Sequence, residues 1–314
     1  MSTEIQRKGL SRLKTYRRAT MEDVVLDLFI YLSLTFLCVL TLYPFVNTIA
    51  ISLNYALDTV RGGIYLWPRQ FTLRNYEKIL IGNPAIAQAL FISAARALVG
   101  GAVSVLSTFC VAYVLSRKDF VLRKVLTPFL VFTMYFSGGL IPSFILVRNL
   151  GLINNFLVYI LPGIIGAYNV MVMRSFMESI PESLIEAAFI DGATHYRILF
   201  SIVWPLSLPV IATITLFVAV GQWNSWFDTM LYCSSSPKLT TLQYELQKLL
   251  TSASSYAAGD SDAAMNAGDA VKSAVTPMSI RAAMTVIAVT PILFTYPFLQ
   301  RYFVKGLTLG GVKG

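Results

Sequence analysis

Few side chains in this 314-residue chain are equipped for chemistry, and those few lie far apart. There is one histidine, His195, and three cysteines, Cys38, Cys110 and Cys233. Their spacing holds neither a metal-ligand pattern nor a disulfide framework. A hydrolytic site needs a nucleophile beside a base, or a metal cluster. No carboxylate pair and no histidine within an apolar run supplies one. A phosphate loop is absent as well. The run from Gly306 to Lys313 only imitates one, because Gly314 stands where the magnesium-binding hydroxyl belongs. The chain is therefore read as non-catalytic, with no metal or cofactor site of its own.

The stretch with most to say is Ser179 to Pro205, a polar-ended segment between two apolar runs. Pro181 suits a first helical position and Glu182 complements the helix N-terminus. Leu184, Ile185, Ala188 and Phe189 form an apolar stripe. Gly192 fits a helix stop. A compact amphipathic helix of this kind either lies on a lipid surface or docks in a groove of another protein. The segment is acidic, so attraction to anionic lipid is the weaker explanation. His195 reads as a surface or interface residue.

A second stretch, Gly221-Gln222-Trp223-Asn224-Ser225-Trp226-Phe227-Asp228, combines aromatic faces with amides. Those are the groups that line concave sugar sites. Gln222, Trp223, Asn224 and Trp226 are candidates for a solute pathway, and an aromatic belt at the membrane interface is the equal alternative. Tyr135, Tyr168 and Asn169 are secondary candidates. Arg96 is the one charge well inside an apolar run. Such a charge faces a cavity, pairs with a partner, or extends its head to the interface.

The elements that must position these residues are membrane spans. The chain is 56% hydrophobic and 13% charged, about half the ~25% charge of a soluble domain. Its mean hydropathy is +0.65. The net charge of +9 comes from basic residues set between apolar runs, so no nucleic-acid partner is inferred. Charge-poor runs occur at 28–57, 86–116, 125–147, 149–173, 198–227 and 282–300. Each approaches or exceeds the ~20 residues that cross a bilayer, and each must satisfy its own backbone hydrogen bonds, as a helix does. An all-α membrane protein with six transmembrane helices is expected, at the cell (cytoplasmic) membrane. Lys and Arg gather before the first run, at Arg117, Lys118, Arg123 and Lys124, and in the tail, which places both termini in the cytoplasm. The first outer loop departs from this bias with Arg61, Arg69, Arg74 and Lys78. The expected organisation is a cytoplasmic segment over 1–25, a permease domain over 26–303 and a tail over 304–314. Within the domain lie the cytoplasmic loop at about 178–198 and an outer segment at about 228–280. Leu239–Thr251 in the outer segment reads as an amphipathic helix. Small residues at Gly100, Ser104, Thr108 and Ala112 predict close helix packing.

The loop resembles the coupling motif of ATP-binding-cassette importer permeases, Glu-Ala-Ala-x3-Gly-x9-Ile-x-Leu-Pro. Glu186, Ala187, Ala188, Gly192, Ile202 and Pro205 fall at those positions, and Trp204 replaces the usual Leu. The resemblance implies the type I importer permease fold. It implies that Glu186, Ala187, Ala188, Asp191, Gly192 and Ala193 seat in a cleft of an ATPase subunit. The end of the chain, Gly306 to Gly314, is similar to the tail of maltose-type sugar permeases, so Gly310, Gly311 and Lys313 are expected near the ATPase dimer. Phe136 to Pro142, Val147 to Asn154 and Tyr296 to Lys305 are similar to a branch associated with complex polysaccharide or aldouronate uptake. The implied partners are a second homologous permease subunit in a heterodimer, two ATPase subunits carrying ATP and magnesium, an extracellular solute-binding protein and an oligosaccharide. For an acidic, uronate-containing sugar, Arg96 is a candidate carboxylate ligand. The rival transporter class, an ion-coupled secondary sugar carrier, wants acidic residues inside the spans, and none lies well inside one.

Overall fold

The computed structural model describes residues 21–257 and 276–310. The described residues are overwhelmingly helical, with a single isolated antiparallel bridge between Asn54 and Phe71. Three helices are long and apolar enough to cross a bilayer unaided: Met21–Ser52, Pro84–Ser116 and Pro277–Thr295. The last continues as helix to Gly310, so no break separates the predicted tail from its span.

The other three predicted runs are broken helix pairs, and counting each pair as one span gives six. Arg123–Tyr135 and Leu140–Asn149 meet at 117°, Phe156–Gly163 and Ala167–Glu178 at 50°, and His195–Leu206 and Leu208–Asn224 at 81°. The continuous runs expected from charge content alone are corrected at these three places. Glycine and proline supply the reasons. Gly139 has φ 89°, a conformation open to glycine because it lacks Cβ. Gly166 lies in the second break, and Pro162 in the short turn of helix just before it. Pro205 and Pro209 flank Ser207 in the third; a proline offers no N–H to the helix ladder and clashes with the preceding turn.

Asn83 caps the second span, its side chain accepting from the Ala85 N–H at 3.1 Å, with Pro84 in the first turn. Arg96–Gly100 within that span is a π turn. The small residues expected to allow close approach are buried: Gly100, Ser104, Thr108 and Ala112. A Cβ on Gly100 would come within 3.3 Å of the Gln222 amide nitrogen. The main core joins the second, fourth and fifth spans through Phe109, Leu115, Met173, Met177, Ile198 and Ile214.

Between the first and second spans, residues 53–80 fold into a compact platform. Asp58 accepts from Asn54 Nδ2 and Arg69 Nε, each at 3.0 Å. These bonds, the Asn54 bond foremost, hold its carboxyl below the usual carboxylate range. The expected amphipathic helix of the outer segment is present as Leu242–Ala257. It packs through Leu242 and Leu246 against the second and last spans.

Candidate functional site

Two regions hold the residues singled out by sequence. At the expected cytoplasmic end, Glu182–Ile190 is a nine-residue helix that starts after Pro181. Gly192 stops it at φ 76°. The Gly192 N–H donates to Phe189 O at 3.0 Å and the Ala193 N–H to Ala188 O at 2.9 Å. This paired closure satisfies carbonyls that would otherwise end unpaired, and it requires the left-handed residue that glycine supplies.

The structure divides the apolar stripe between two faces. Ile185 is 3% exposed, and with Ala188 it belongs to the same core cluster as Leu115, Met177 and Ile198. Leu184 and Phe189, placed on that stripe by sequence, are exposed, as are Ala187 and Ile190, the last at 87%. One face of this short helix is thus continuous with the packed spans, while the other presents apolar surface. Glu186, Asp191 and Gly192 are exposed on or beside the second face. His195 is exposed and packs edge-on to Phe189 with ring centroids 4.9 Å apart.

Sequence reasoning used the basic loop 117–124 only for orientation. In the structure it faces the acidic helix. Lys118 pairs with Glu182. Arg123 pairs with Glu178 at 2.8 Å, and Arg174 reaches the same carboxylate at 3.0 Å. Between loop and helix lies a cleft of ≈ 650 Å³ whose walls include Arg117, Glu182 and Glu186.

The second region is an open cavity of ≈ 330 Å³. Arg96, Gln222 and Asn169 line it, as sequence anticipated, together with Tyr159, Ser104 and Asp228, which it did not. Arg96 is 2% exposed. Its guanidinium lies over the Tyr159 ring, 4.4 Å from the centroid. All five of its N–H groups are engaged. Nε and one Nη2 hydrogen go to Gln222 Oε1 at 3.1 and 3.0 Å. Nη1 donates to Ser225 O and Asp228 Oδ1, each at 3.2 Å. The remaining Nη2 hydrogen goes to Asp228 Oδ2. Arg96 is therefore a member of a structural ion pair in this conformation. The counter-ion was legible in principle: an arginine inside a span calls for one, and Asp228 ends the same stretch that carries Gln222.

The other pathway candidates are not among the lining residues. Trp223 is buried toward the last span, its indole N–H donating to Ala288 O at 2.8 Å. This placement is neither the cavity nor the interfacial belt that sequence allowed. Asn224 accepts from Gln243 Nε2 at 3.0 Å. Trp226 packs edge-on to Phe227. Tyr135 and Tyr168 are exposed. Of the tail residues, Gly310 is the last helical position, while Gly311 and Lys313 lie outside the described residues. No group of three or more His, Cys, Asp or Glu able to hold a metal occurs among the described residues.

The chain matches the family model for the binding-protein-dependent transport system inner membrane component over residues 105–309. It is 38% identical over 294 residues to the polygalacturonan/rhamnogalacturonan transport system permease protein YtcP of Bacillus subtilis (strain 168), covering 94% of this chain and 100% of that one. It is 28% identical to the arabinooligosaccharides transport system permease protein AraQ of Halalkalibacterium halodurans, covering 92% of this chain and 98% of that one. Its fold is similar, at TM-score 0.80 and 27% identity, to a chain of a bacterial ABC transporter involved in the import of the acidic polysaccharide alginate, covering 90% of this chain and 98% of that one. Nothing in these likenesses supports an ion-coupled carrier. The chain belongs to the binding-protein-dependent transport system inner membrane component family: it is a non-catalytic permease subunit of an ATP-binding-cassette importer.

Proposed function

We propose that this permease carries acidic oligosaccharides, fragments of uronate-containing polysaccharide, and that Glu182–Ile190 is the helix through which ATPase closure drives alternating access. The observation that carries the coupling assignment is the two-faced packing of that helix. Ile185 and Ala188 are inside the core of the spans, while Leu184, Ala187 and Ile190 offer apolar surface to a partner. A force applied to the outer face is delivered to the second, fourth and fifth spans, because close-packed side chains transmit displacement. Glu186 offers a carboxylate to a basic or donor group in the partner's cleft. Gly192 keeps the chain turning tightly behind it. The tail at Gly310, Gly311 and Lys313 is assigned to the neighbourhood of the ATPases, and both termini to the cytoplasm.

The working assembly contains a second homologous permease, two ATPase subunits that bind ATP and magnesium, and an external solute-binding protein. The cargo class is supported by the relatives, which include permeases described for polygalacturonan/rhamnogalacturonan and an importer described for alginate. A cavity that contains arginine, tyrosine, serine and amide side chains suits a hydroxylated, charged sugar. Within this chain the pathway is assigned to Arg96, Gln222 and Asn169. The test is the complete importer in proteoliposomes. Glu186→Lys and Gly192→Val are expected to lose ATPase assembly or sugar-stimulated ATP hydrolysis. Normal transport by both variants overturns the coupling assignment. Uptake of neutral arabinooligosaccharides with no uptake of oligogalacturonates overturns the cargo class.

A further inference from the structure

We propose that Asp228 is an internal stand-in for a sugar carboxylate. It occupies the Arg96 anion site while the pathway is closed at that point and yields it to the cargo during transport. The inference rests on the reading of the cargo as acidic.

Four observations carry it. The two partners both line the cavity but are unequally placed: the Arg96 side chain is 2% exposed and the Asp228 side chain 23%, so the carboxylate is the more accessible member. They also sit on elements of different character. Arg96 belongs to a helix that runs unbroken from Pro84 to Ser116, whereas Asp228 is the second residue of a six-residue helix behind the break at Ser225–Trp226. Third, the other bonds of Asp228 are local. Its Oδ1 accepts from Ser225 Oγ and from the Thr229 N–H, each at 2.9 Å. The helix itself is anchored, by the Thr229 and Thr241 hydroxyls at 2.9 Å and by the Asn154 N–H donating to Tyr232 O at 3.0 Å, so the carboxylate leaves Arg96 by turning about its own side-chain torsions and gives up only these two local bonds. Last, Arg96 is held in place independently of Asp228, by Gln222 Oε1, Ser225 O and the face of Tyr159.

The consequence is a selectivity device. Withdrawal of Asp228 leaves a buried guanidinium without a counter-ion, which is costly in a low-dielectric site. A uronate carboxylate restores the bidentate pair that arginine favours; a neutral sugar does not. The exchange forms no covalent bond and consumes no proton. It makes the loss of the internal pair conditional on an anionic cargo.

The experiment uses the full importer in proteoliposomes, with oligogalacturonate and its methyl-esterified, neutral counterpart as probes at matched chain length. The readout is the ratio of the two uptake rates, each below saturation, because a ratio cancels differences in the amount of assembled complex. Wild type is expected to favour the acidic probe. Asp228→Asn removes the competitor and is expected to raise the acidic-to-neutral ratio about tenfold, the equivalent of one displaced charge-assisted interaction. Arg96→Gln is expected to bring the ratio near one. In addition, oligogalacturonate is expected to raise the thermal midpoint of the Asp228→Asn complex more than that of wild type. A ratio that is unchanged in Asp228→Asn, or lowered equally by both substitutions, overturns the exchange and leaves the pair purely structural. A wild-type importer that takes up no oligogalacturonate overturns the cargo reading itself, and the exchange with it. The wild-type arm thus separates the two failures.

Discussion

The Glu182–Ile190 helix and the Arg96 cavity are built from similar parts that work at different strengths. Each lies beside a π turn, Leu199–Val203 in one case and Arg96–Gly100 in the other. Each has at least one ion pair between separate elements. At the Glu182–Ile190 helix the Lys118 and Glu182 side chains are 75% and 53% exposed. Such a pair is worth ~0.2–1 kcal/mol and is screened by salt. At the cavity Arg96 is nearly sealed off, and stranding a buried charge costs ~3–5 kcal/mol. The contrast separates what attaches each region to the bundle. The Glu182–Ile190 helix is attached by packing, through Ile185 and Ala188, with its charges as a weak fringe. The cavity is organised by charge, with Tyr159 and Gln222 as support.

The largest effect expected from this contrast follows removal of Asp228. Asp228→Ala leaves the guanidinium unpaired and is expected to destabilise the purified complex by ~3–5 kcal/mol. The double variant Arg96→Met, Asp228→Leu is expected to recover most of that loss, because replacing both charges removes the stranded group. Thermal unfolding of the complex in nanodiscs measures both. Equal losses in the single and double variants would show that the region depends on shape, not charge. Next in size is Ile185→Ala, a truncation at a site 3% exposed. It is expected to cost ~2–4 kcal/mol and to leave ATP hydrolysis poorly coupled to transport, while Leu184→Ala on the exposed face lowers ATPase binding with little loss of stability. If the two exchange phenotypes, the assignment of faces is reversed.

How much of this was legible in the sequence depends on which interactions set each feature. The helical class and the number of apolar runs follow from composition, because the bilayer imposes them. The bounds of the Glu182–Ile190 helix were legible to within a residue or two, since Pro181 and Gly192 are local start and stop signals. The breaks were not. Pro205 and Pro209 were visible, yet proline inside a helix gives no angle; Pro291 and Pro297 sit within an unbroken helix, and only the packing of neighbours distinguishes the cases. Arg96 was legible as a residue needing a partner. Asp228 was not chosen because the partners are 132 positions apart, and the local pattern Gln-Trp-Asn drew attention to Trp223. That indole bonds instead to Ala288 on the last span, a contact no local pattern encodes.

A smaller effect tests the turn behind the coupling helix. Nothing lies within 4 Å of a Cβ built on Gly192, so a substitution there meets open space, and its cost comes from φ 76° alone. Left-handed backbone in a β-branched residue costs of order 1–3 kcal/mol. Gly192→Val is expected to show that loss, while Gly192→Asn shows less, because asparagine tolerates this conformation. The ordering is read from the share of ATPase that co-purifies with the permease and from the thermal midpoint of the permease itself. If the two variants are equally damaging, side-chain volume at a partner surface, not backbone strain, governs the position.

The smallest effect is expected at Lys118. Its bond to Glu182 joins the loop of the second and third spans to the coupling helix, and its position suggests a strut. Its exposure argues otherwise. Water solvates both groups, and holding two long side chains in one geometry costs rotamer freedom. Lys118→Ala is therefore expected to change stability by less than ~1 kcal/mol. The change should fade as ionic strength rises toward 1 M, where the screening length falls to ~3 Å. Arg123→Ala is expected to cost more, because Arg123 is 26% exposed and its Glu178 partner is shared with the better-buried Arg174. The measurement is ATPase coupling and thermal midpoint across a salt series for both variants. A large, salt-independent loss for Lys118→Ala would make charge the fastening at the cytoplasmic end too, and would erase the distinction between the two regions.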